Sequence, residues 1–557
     1  MDRRQLLAGF ALAGVTAACA SNSDESGNGS TTTRDGGDGG DTSGAAVTAA
    51  EPAPATLTSA AFGLGVASGD PLSDRVMLWT RLATAPAAVG VDGVDLAAAD
   101  PPPVADGSVE VAFDVATDEG FTDLVVSGIA TATPALGHSV HVDVSGLQPD
   151  TWYFYRFRAG GQTSAVGRTR TFPAADAEPE QFRFVFASCQ DFQWGFYGAW
   201  GRAAELPDVD AVVFLGDYIY ETTFGDLSPD AAGARVWATP EAFTLDNYRS
   251  RYAQTKADPQ LQAAHQMAPW IVTFDDHEVS NNYAGDVGQA DVDQPDSADR
   301  RLAAYQAWYE HTPIRIDPLP GDEPADFAEL RVHRDFSFGS LATLFTIETR
   351  QHADPPPCRA GGDLNSDDGP GCDEMFDEAR TNLGDDQETW LVDGLSSSDA
   401  SWNILANPIL FAGLNVGTAD QVEYTRDTWD GYPASRRRVI DAIVGSEVKN
   451  PVVVTGDWHA SFVLDVKEQP GDAASETVMP EFLASSISTI LFPADYSAAN
   501  PQVKYFVAEH GYALVTVTPE DLTCEFHYIA DKWDPATPIS HIDTFRVLDG
   551  EHDARPV

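Results

Sequence analysis

Four stretches of the chain carry an apolar run that ends in side chains able to bind a metal ion. In residues 209–221, a strand-like run of valine, phenylalanine and leucine stops at Gly216 and is followed by Asp217 and Tyr220. Carboxylate and phenolate oxygens are hard anionic donors, which suit divalent and trivalent metal ions. Taken alone, the stretch is equally consistent with a strand that ends in a turn, with Asp217 as a helix cap.

The other three stretches repeat this order of apolar run and polar cluster. Residues 182–190 end in Ser-Cys-Gln, residues 270–282 contain Asp-Asp-His-Glu, and residues 451–461 contain Gly-Asp-Trp-His. Strand ends that carry Cys, Asp, Tyr, His and Asn are what a multi-metal hydrolase needs. Because α/β folds bind ligands at the carboxyl ends of their strands, we expect the clusters to meet at one edge.

These motifs in combination resemble the PhoD-like alkaline phosphatases and phosphodiesterases. The order is Ser-Cys-Gln, Gly-Asp-Tyr-Ile-Tyr-Glu, Asp-Asp-His-Glu and Gly-Asp-Trp-His. The resemblance covers nearly the whole chain after its N-terminal segment. That family belongs to the calcineurin-like metallophosphoesterases, so the resemblance implies an exported enzyme that hydrolyses phosphate monoesters or diesters with a metal-activated hydroxide.

The resemblance extends to purple acid phosphatases and implies a first metal site. By that analogy the site takes Cys189, Asp217, Tyr220 and His459. Thiolate and phenolate together favour iron(III), and the implied content is one iron ion (Fe3+) and two calcium ions (Ca2+). The alternative for Cys189 is a buried strand-end thiol that binds no metal.

A second site is implied by the same analogy. It shares Asp217 as a bridging ligand and adds Asp276 and Asp457, with Asn281 or Asn282 as a further donor. All of these ligands offer hard oxygen atoms, which suit calcium.

The implied catalytic residues are His277, Asp276 and Arg350. His277 is expected to contact phosphate and to protonate the leaving alkoxide, although it is also a candidate metal ligand. Glu278 is expected to orient His277 or to support the ligands from behind. Arg350 is either a phosphate clamp, because guanidinium matches phosphate bidentately, or the structural partner of an acid such as Glu278.

Composition restricts the classes of partner. The chain has 557 residues with 33 basic and 86 acidic side chains, a formal net charge of −53. Binding to nucleic acid through its phosphates needs Lys and Arg, so this charge argues against a nucleic-acid partner. A strongly acidic protein attracts divalent cations. A chain of this length also predicts two or more domains.

The predicted fold is an α/β metallophosphoesterase sandwich over residues 180–548, preceded by a small all-β domain of the fibronectin III or immunoglobulin-like type over residues 57–176. Strands and helices alternate in the larger domain. The smaller domain shows period-two alternation, as in residues 109–115, and we expect a sandwich of about seven strands there. Within the larger domain we expect helices over residues 248–268 and 298–310.

The first residues predict export. Residues 1–20 carry Arg3 and Arg4 before a short apolar run, which resembles a signal for the twin-arginine export machinery. Thr-Ala-Ala-Cys, which ends in Cys19, resembles a lipobox and favours a lipid anchor there, while Ala-Cys-Ala also fits ordinary signal-peptidase cleavage. Residues 21–56 predict a flexible linker. The expected location is the periplasm or the cell surface.

The remaining cysteines predict one disulfide. Cys358 and Cys372 flank an acidic, Gly-rich loop and are expected to pair in an exported protein. Asp363, Asn365 and Asp367 in that loop resemble a calcium loop, although a solvated loop fits their spacing better. Cys524 lies in an alternating strand and is expected to be a buried free thiol.

The alternative function is that of a non-catalytic, calcium-stabilised cell-surface protein. Such a protein has no need to keep Asp217, Asp276, His277 and His459 together, so these residues favour the enzyme. The motifs fit phosphate monoesters and diesters equally well.

Overall fold

The computed structural model describes residues 47–57, 60–84, 107–223, 235–287, 297–316, 327–358, 368–472 and 474–557. The predicted export signal with Arg3, Arg4 and Cys19, most of the predicted linker, and the loop residues Asp363, Asn365 and Asp367 lie outside these ranges. Within them, none of the helices has the length and apolar character needed to cross a bilayer.

Two β-sheets pack face to face at the centre of the molecule. Phe184, Phe186 and Val213 of the first sheet are fully buried with Ile404 and Val454 of the second. In spatial order, the described strands of the first sheet are Arg555–Pro556, Ile539–Leu548, Asp521–Ile529, Gly511–Val517, Phe182–Ala187, Ala211–Phe214, Trp270–Val272, Val66–Gly69, Arg75–Arg81 and Ser139–Ser145. Those of the second sheet are Arg334–Phe338, Ala342–Thr346, Trp402–Asn407, Pro451–Thr455, Thr477–Leu483, Ser461–Lys467 and Val503–Val507.

Helices cover the outer faces of both sheets, because their strands are apolar on both sides. Val185 and Val212 point away from the centre and pack in one core with Trp200. On the second sheet, Leu405 and Val453 also point outward and share a core with Leu391 and Val439 of the covering helices. The α-helices of the described residues are Gly198–Ala203, Leu245–Lys256, Pro259–Met267, Ser297–His311, Asp385–Ser397 and Pro433–Gly445. Short 3-10 helices are Pro134–Leu136, Phe192–Trp194, Asp276–Glu278, Phe327–Glu329, Asp373–Phe376, Trp429–Gly431 and Ser497–Ala499. The alternation predicted for the larger domain is confirmed.

The helix expected over residues 248–268 is in fact two helices. Asp258 separates them, because its carboxylate caps the second helix by accepting hydrogen bonds from the backbone N–H groups of Gln260 and Leu261. Pro259 occupies the first helical position, where its missing N–H costs nothing. The other predicted helix is confirmed as Ser297–His311.

The N-terminal strands are divided between two sheets, which differs from the separate sandwich expected over residues 57–176. Val66–Gly69 pairs in parallel with Trp270–Val272, so this strand and its two neighbours extend the first sheet. A further sheet of the described residues contains Leu124–Ala132, Val109–Ala116, Trp152–Ala159, Gln162–Thr163 and Gly167–Arg170. Val76 and Val111 belong to one apolar core between the two layers. The N-terminal sandwich therefore shares a sheet with the larger domain.

A buried ion pair secures this shared sheet. Asp70 follows the strand Val66–Gly69 and is 1% exposed. Its carboxylate accepts hydrogen bonds from the Arg334 guanidinium at 3.1 Å and from the Arg315 backbone N–H at 2.6 Å. The Arg334 guanidinium also donates to the backbone oxygen of Val272 at 2.9 Å, so one cation joins the N-terminal and central strands.

We predict that Asp70→Ala lowers the free energy of unfolding by ~3–5 kcal/mol, because it leaves the Arg334 charge buried without its partner. Thermal and urea unfolding of the purified protein measure this. Asp74→Ala is the control, since Asp74 pairs with Arg75 at the surface with 54% of its side chain exposed. Equal stability of the two variants would contradict the role given to Asp70.

Candidate metal centre

Three neighbouring parallel strands bring the first three motifs to one edge of the first sheet. Phe182–Ala187 pairs in parallel with Ala211–Phe214, which pairs in parallel with Trp270–Val272. Cys189 and Asp217 follow the first two strands, and the Asp-Asp-His-Glu run follows the third. The predicted meeting of these motifs is confirmed.

The second sheet delivers the fourth motif to the same place. Pro451–Thr455 ends just before Asp457 and His459. An isolated parallel bridge between Ser188 and Ser486 joins the two sheets beside Cys189. The candidate site therefore lies where the edges of both sheets converge.

Several side chains of the site stand on a strained backbone. Non-glycine residues rarely adopt positive φ, and each such residue costs on the order of 1 kcal/mol. The positive angles are 60° at Cys189, 58° at Asp217, 53° at Asn282, 66° at Asp457 and 52° at His459. Such residues concentrate at functional sites, where the surrounding structure holds them.

Gly216 lets two of the motif loops approach each other. Its φ is 106°, and a Cβ there would lie 2.5 Å from the Cβ of Asp275. A side chain at this position would therefore separate Asp217 from the Asp-Asp-His-Glu loop. This contact explains why glycine precedes Asp217.

A first cluster joins a thiol, a carboxylate and an imidazole. The ligand atoms of Cys189, Asp217 and His459 lie within 4.8 Å of one another. The Tyr220 hydroxyl donates to Asp217 Oδ2 at 2.9 Å and lies 3.2 Å from His459 Nε2. All four residues expected at the first metal are thus brought together.

Two further clusters are built mainly from carboxylates. One contains Asp217, Asp276 and His277, and the other contains Asp275, Asp276 and Asp457. Because Asp217 belongs to the first cluster as well, its carboxylate is placed between two candidate metal positions. The Asn282 backbone N–H donates to Asp276 Oδ2 at 2.6 Å, and the Asn282 side chain lines the adjoining cavity.

The donor groups fit bound cations. Burial raises the pKa of Asp217, and the nearby Asp276 adds to this effect although His277 opposes it. Burial and the charges of Asp275 and Asp276 likewise raise the pKa of Asp457. Within the described chain, Asp275 Oδ2 is buried without a hydrogen-bond partner. A cation would relieve both the repulsion and the missing contact.

Glu221 holds the general-acid candidate in place. Its Oε2 lies 2.7 Å from His277 Nδ1, and its Oε1 accepts a hydrogen bond from the Asn281 backbone N–H at 2.7 Å. Burial lowers the pKa of His277, but the charges of Asp276 and Glu221 outweigh it and raise the pKa overall. Contact at Nδ1 leaves Nε2 as the nitrogen for chemistry in the cavity.

Of the two roles expected for Glu278, its contacts match the support of the ligands from behind and not the orienting of His277. Its carboxylate accepts backbone hydrogen bonds from Asp217 at 3.0 Å, Tyr218 at 2.5 Å and Asp275 at 2.8 Å. It therefore fixes the two motif loops against each other. The sequence analysis assigned no role to Glu221, although this residue lies four positions after Asp217 in the same motif.

Arg350 forms buried ion pairs and does not act as the phosphate clamp that was one of its two expected roles. The side chain is 2% exposed and is not part of the described cavity lining. Its Nε donates to Asp275 Oδ1 at 2.5 Å, and its Nη1 donates to Asp427 Oδ1 at 2.7 Å. The guanidinium is drawn inward because these buried carboxylates need a counter-charge. The alternative prediction, that Arg350 is the structural partner of an acid, is confirmed, and the acids are Asp275 and Asp427.

A cavity of 600 Å³ opens over the three clusters. Asp217, Asp276, Asp457 and His459 line it together with His277. Sequence reasoning assigned no role to several other lining residues. Trp458 lies between Asp457 and His459, and the others come from distant parts of the chain: Asp368, Thr425, Asp427, Phe492 and Tyr496.

Comparisons with known proteins determine the family. Residues 184–526 match the family described as PhoD-like phosphatase, and residues 47–173 match the PhoD-like phosphatase, N-terminal domain. The chain belongs to the PhoD-like phosphatase family. It is 40% identical over 491 residues to alkaline phosphatase D of Bacillus subtilis (strain 168), covering 87% of this chain and 80% of that relative. A solved structure described as "Structure of PhoD" matches with a TM-score of 0.81 and 38% identity, over 90% of this chain and 93% of the other.

These matches confirm the family expected from the motifs and identify this PhoD-like phosphatase as a phosphoric ester hydrolase. They also disfavour the alternative of a non-catalytic surface protein. The predicted disulfide between Cys358 and Cys372 is formed, and Cys524 is a buried free thiol as expected.

We predict that Glu221→Gln lowers kcat by about 10- to 100-fold, because an amide does not stabilise the protonated ring of His277. KM and bound metal should change little, since Glu221 lies behind the ring. Steady-state kinetics with 4-nitrophenyl phosphate and metal analysis measure this. Glu241→Gln is the control, because Glu241 pairs with Arg300 away from the cavity. Loss of metal in Glu221→Gln would contradict a positioning role.

Proposed function

We propose that this chain hydrolyses phosphate esters at the cavity above the three clusters, as a metal-dependent alkaline phosphatase or phosphodiesterase. The observation that carries the proposal is the shared place of Asp217 in two adjacent clusters. A carboxylate so placed can hold two cations close enough to act on one phosphate group.

The donor types support one iron(III) and two calcium ions. Cys189, Tyr220 and His459 would hold the iron together with Asp217, since thiolate, phenolate and imidazole suit a transition metal. Asp276 and the oxygen donors around it would hold calcium. The third cluster, which contains Asp275, Asp276 and Asp457, would hold the second calcium.

When bound, these cations would neutralise phosphate oxygens and lower the pKa of a bound water. His277 lines the cavity and would donate a proton from Nε2 to the leaving alcohol oxygen. Glu221 keeps the ring in this orientation through Nδ1. The cavity of 600 Å³ is large enough for the ester group of a monoester or a diester, so we propose both as substrates.

Asp217→Ala should abolish nearly all phosphate release and reduce bound metal, because it removes the carboxylate shared by two clusters. Metal analysis by mass spectrometry and hydrolysis of 4-nitrophenyl phosphate measure both effects. A decrease of about 1,000-fold or more in kcat/KM is expected when a metal site is lost. Far-ultraviolet circular dichroism should remain unchanged.

Asp399→Ala serves as the matched control for this variant, since Asp399 is an exposed aspartate after the helix Asp385–Ser397. Cys189→Ser separates the two kinds of site: it should lose iron while it retains calcium. An Asp217→Ala enzyme with full activity would sink the proposal. A fully active wild type that contains only zinc would refute the iron and calcium assignments and leave phosphoester hydrolysis intact.

We also propose that the protein is exported by the twin-arginine machinery and is lipid-anchored at Cys19. The disulfide between Cys358 and Cys372 supports an oxidising compartment. The Arg3 and Arg4 pair and the lipobox-like residues before Cys19 support the route and the anchor.

Replacing both Arg3 and Arg4 with lysine should leave the precursor in the cytoplasm, because the twin-arginine receptor reads the arginine pair. Cys19→Ala should release the exported protein from the membrane fraction, because it removes the acylated residue. Cell fractionation with immunoblotting measures both outcomes. Membrane association that persists in Cys19→Ala would remove the lipid-anchor proposal and leave the export route intact.

A further inference from the structure

An aromatic wall stands at the mouth of the cavity. Phe492 is 44% exposed, and its ring stacks on the ring of His459, with centroids 4.7 Å apart and an angle of 23° between the ring planes. Trp458 and Tyr496 form an edge-to-face pair beside it, with centroids 6.1 Å apart. All three aromatic residues line the cavity. A large exposed apolar ring at such a place indicates a contact surface for a ligand.

From their position, these aromatic residues would contact the alcohol group of a bound phosphate ester. The phosphate group must lie against Asp217, Asp276 and Asp457, where the cations would be held. His459 belongs to that floor and Phe492 stacks on it from the solvent side. An alcohol group that extends from the phosphate toward solvent therefore lies against the ring of Phe492.

Aspartates dominate the charged side chains of the cavity lining. Among the described residues that line the cavity, five are aspartates and none is lysine or arginine; the aspartates are Asp217, Asp276, Asp368, Asp427 and Asp457. Asp368 is exposed at the rim, and its charge contributes to the raised pKa of Tyr496 after the larger effect of burial. The cations would compensate the floor, but the described rim offers no side-chain cation to a second anionic group of the substrate.

We propose that the mouth of the cavity is an alcohol subsite for flat, apolar groups, with Phe492 as its main contact, and that it selects against esters that carry a second negative charge. The inference rests on the proposed function, because it takes the phosphate to bind at the metal clusters. Aromatic contacts with the Phe492 ring favour the first class, and repulsion from Asp368 at the rim disfavours the second.

Three phosphate esters test the subsite: methyl phosphate, benzyl phosphate and 4-carboxybenzyl phosphate. Methyl and benzyl esters release alkoxides of similar basicity, so their kcat/KM ratio reports on contacts with the alcohol rather than on intrinsic reactivity. For the wild type we expect benzyl phosphate to exceed methyl phosphate by about tenfold, the effect of one good aromatic contact. The carboxylated ester should lose most of that advantage, and high salt should restore part of it.

Phe492→Ala should reduce the benzyl-to-methyl ratio to about one, chiefly through KM, and Phe492→Tyr should retain it. If Phe492 only supports His459, both esters will slow together and the ratio will not change, which would overturn the inference. Phe376→Ala is the control, since Phe376 is 54% exposed and does not line the cavity. Asp368→Asn should narrow the gap between the benzyl and carboxybenzyl esters.

The outcomes separate the two proposals. Hydrolysis of all three esters at equal kcat/KM would overturn the subsite and leave phosphoester hydrolysis intact. A metal-loaded wild type that releases no phosphate from any of them would instead refute the proposed function.

Discussion

Repulsion among buried carboxylates is the interaction on which this structure depends. Asp217, Asp275 and Asp276 are almost fully buried, and the half-buried Asp457 joins them where the edges of the two sheets converge. Such a group is costly unless positive charge is brought to it. Arg350 supplies positive charge from within the protein, and the remaining carboxylate oxygen atoms are arranged as metal donors. Arg350, which was predicted as a possible phosphate ligand, therefore stabilises the folded site instead.

The surrounding fold keeps these residues in place despite the carboxylate repulsion and the positive φ angles of the site. Three parallel strands of one sheet and one strand of the other end there, and the Glu278 carboxylate ties two of the loops through their backbone N–H groups. Residues with positive φ turn the side chains of Cys189 and His459 toward a common point. Core packing on both faces of both sheets provides the rigidity that makes these conformations tolerable.

The metal-ligand candidates could be predicted from the sequence because each follows an apolar strand at short range, as Asp217 and Asp457 do. Glu221 carried a usable signal in its own motif, but its contact with His277 depends on how two loops meet. Phe492 and Asp427 carried none, since they come from segments far away in the chain. Strand periodicity also predicted an N-terminal β-domain, yet it does not tell which sheet a strand joins, and so the pairing of Gly69 with Trp270 was missed.

The disulfide between Cys358 and Cys372 closes a segment of the cavity rim that is separate from the strands that carry the metal donors. The segment that it closes contributes Asp368, whose short strand pairs with Tyr424–Thr425 at the cavity. Both anchors lie outside the strands that carry the metal donors. Substitutions between the two cysteines could therefore alter the shape and charge of the entrance while the donor geometry stays fixed. This separation gives the scaffold evolvability: new substrate preferences can arise without rebuilding the reaction centre.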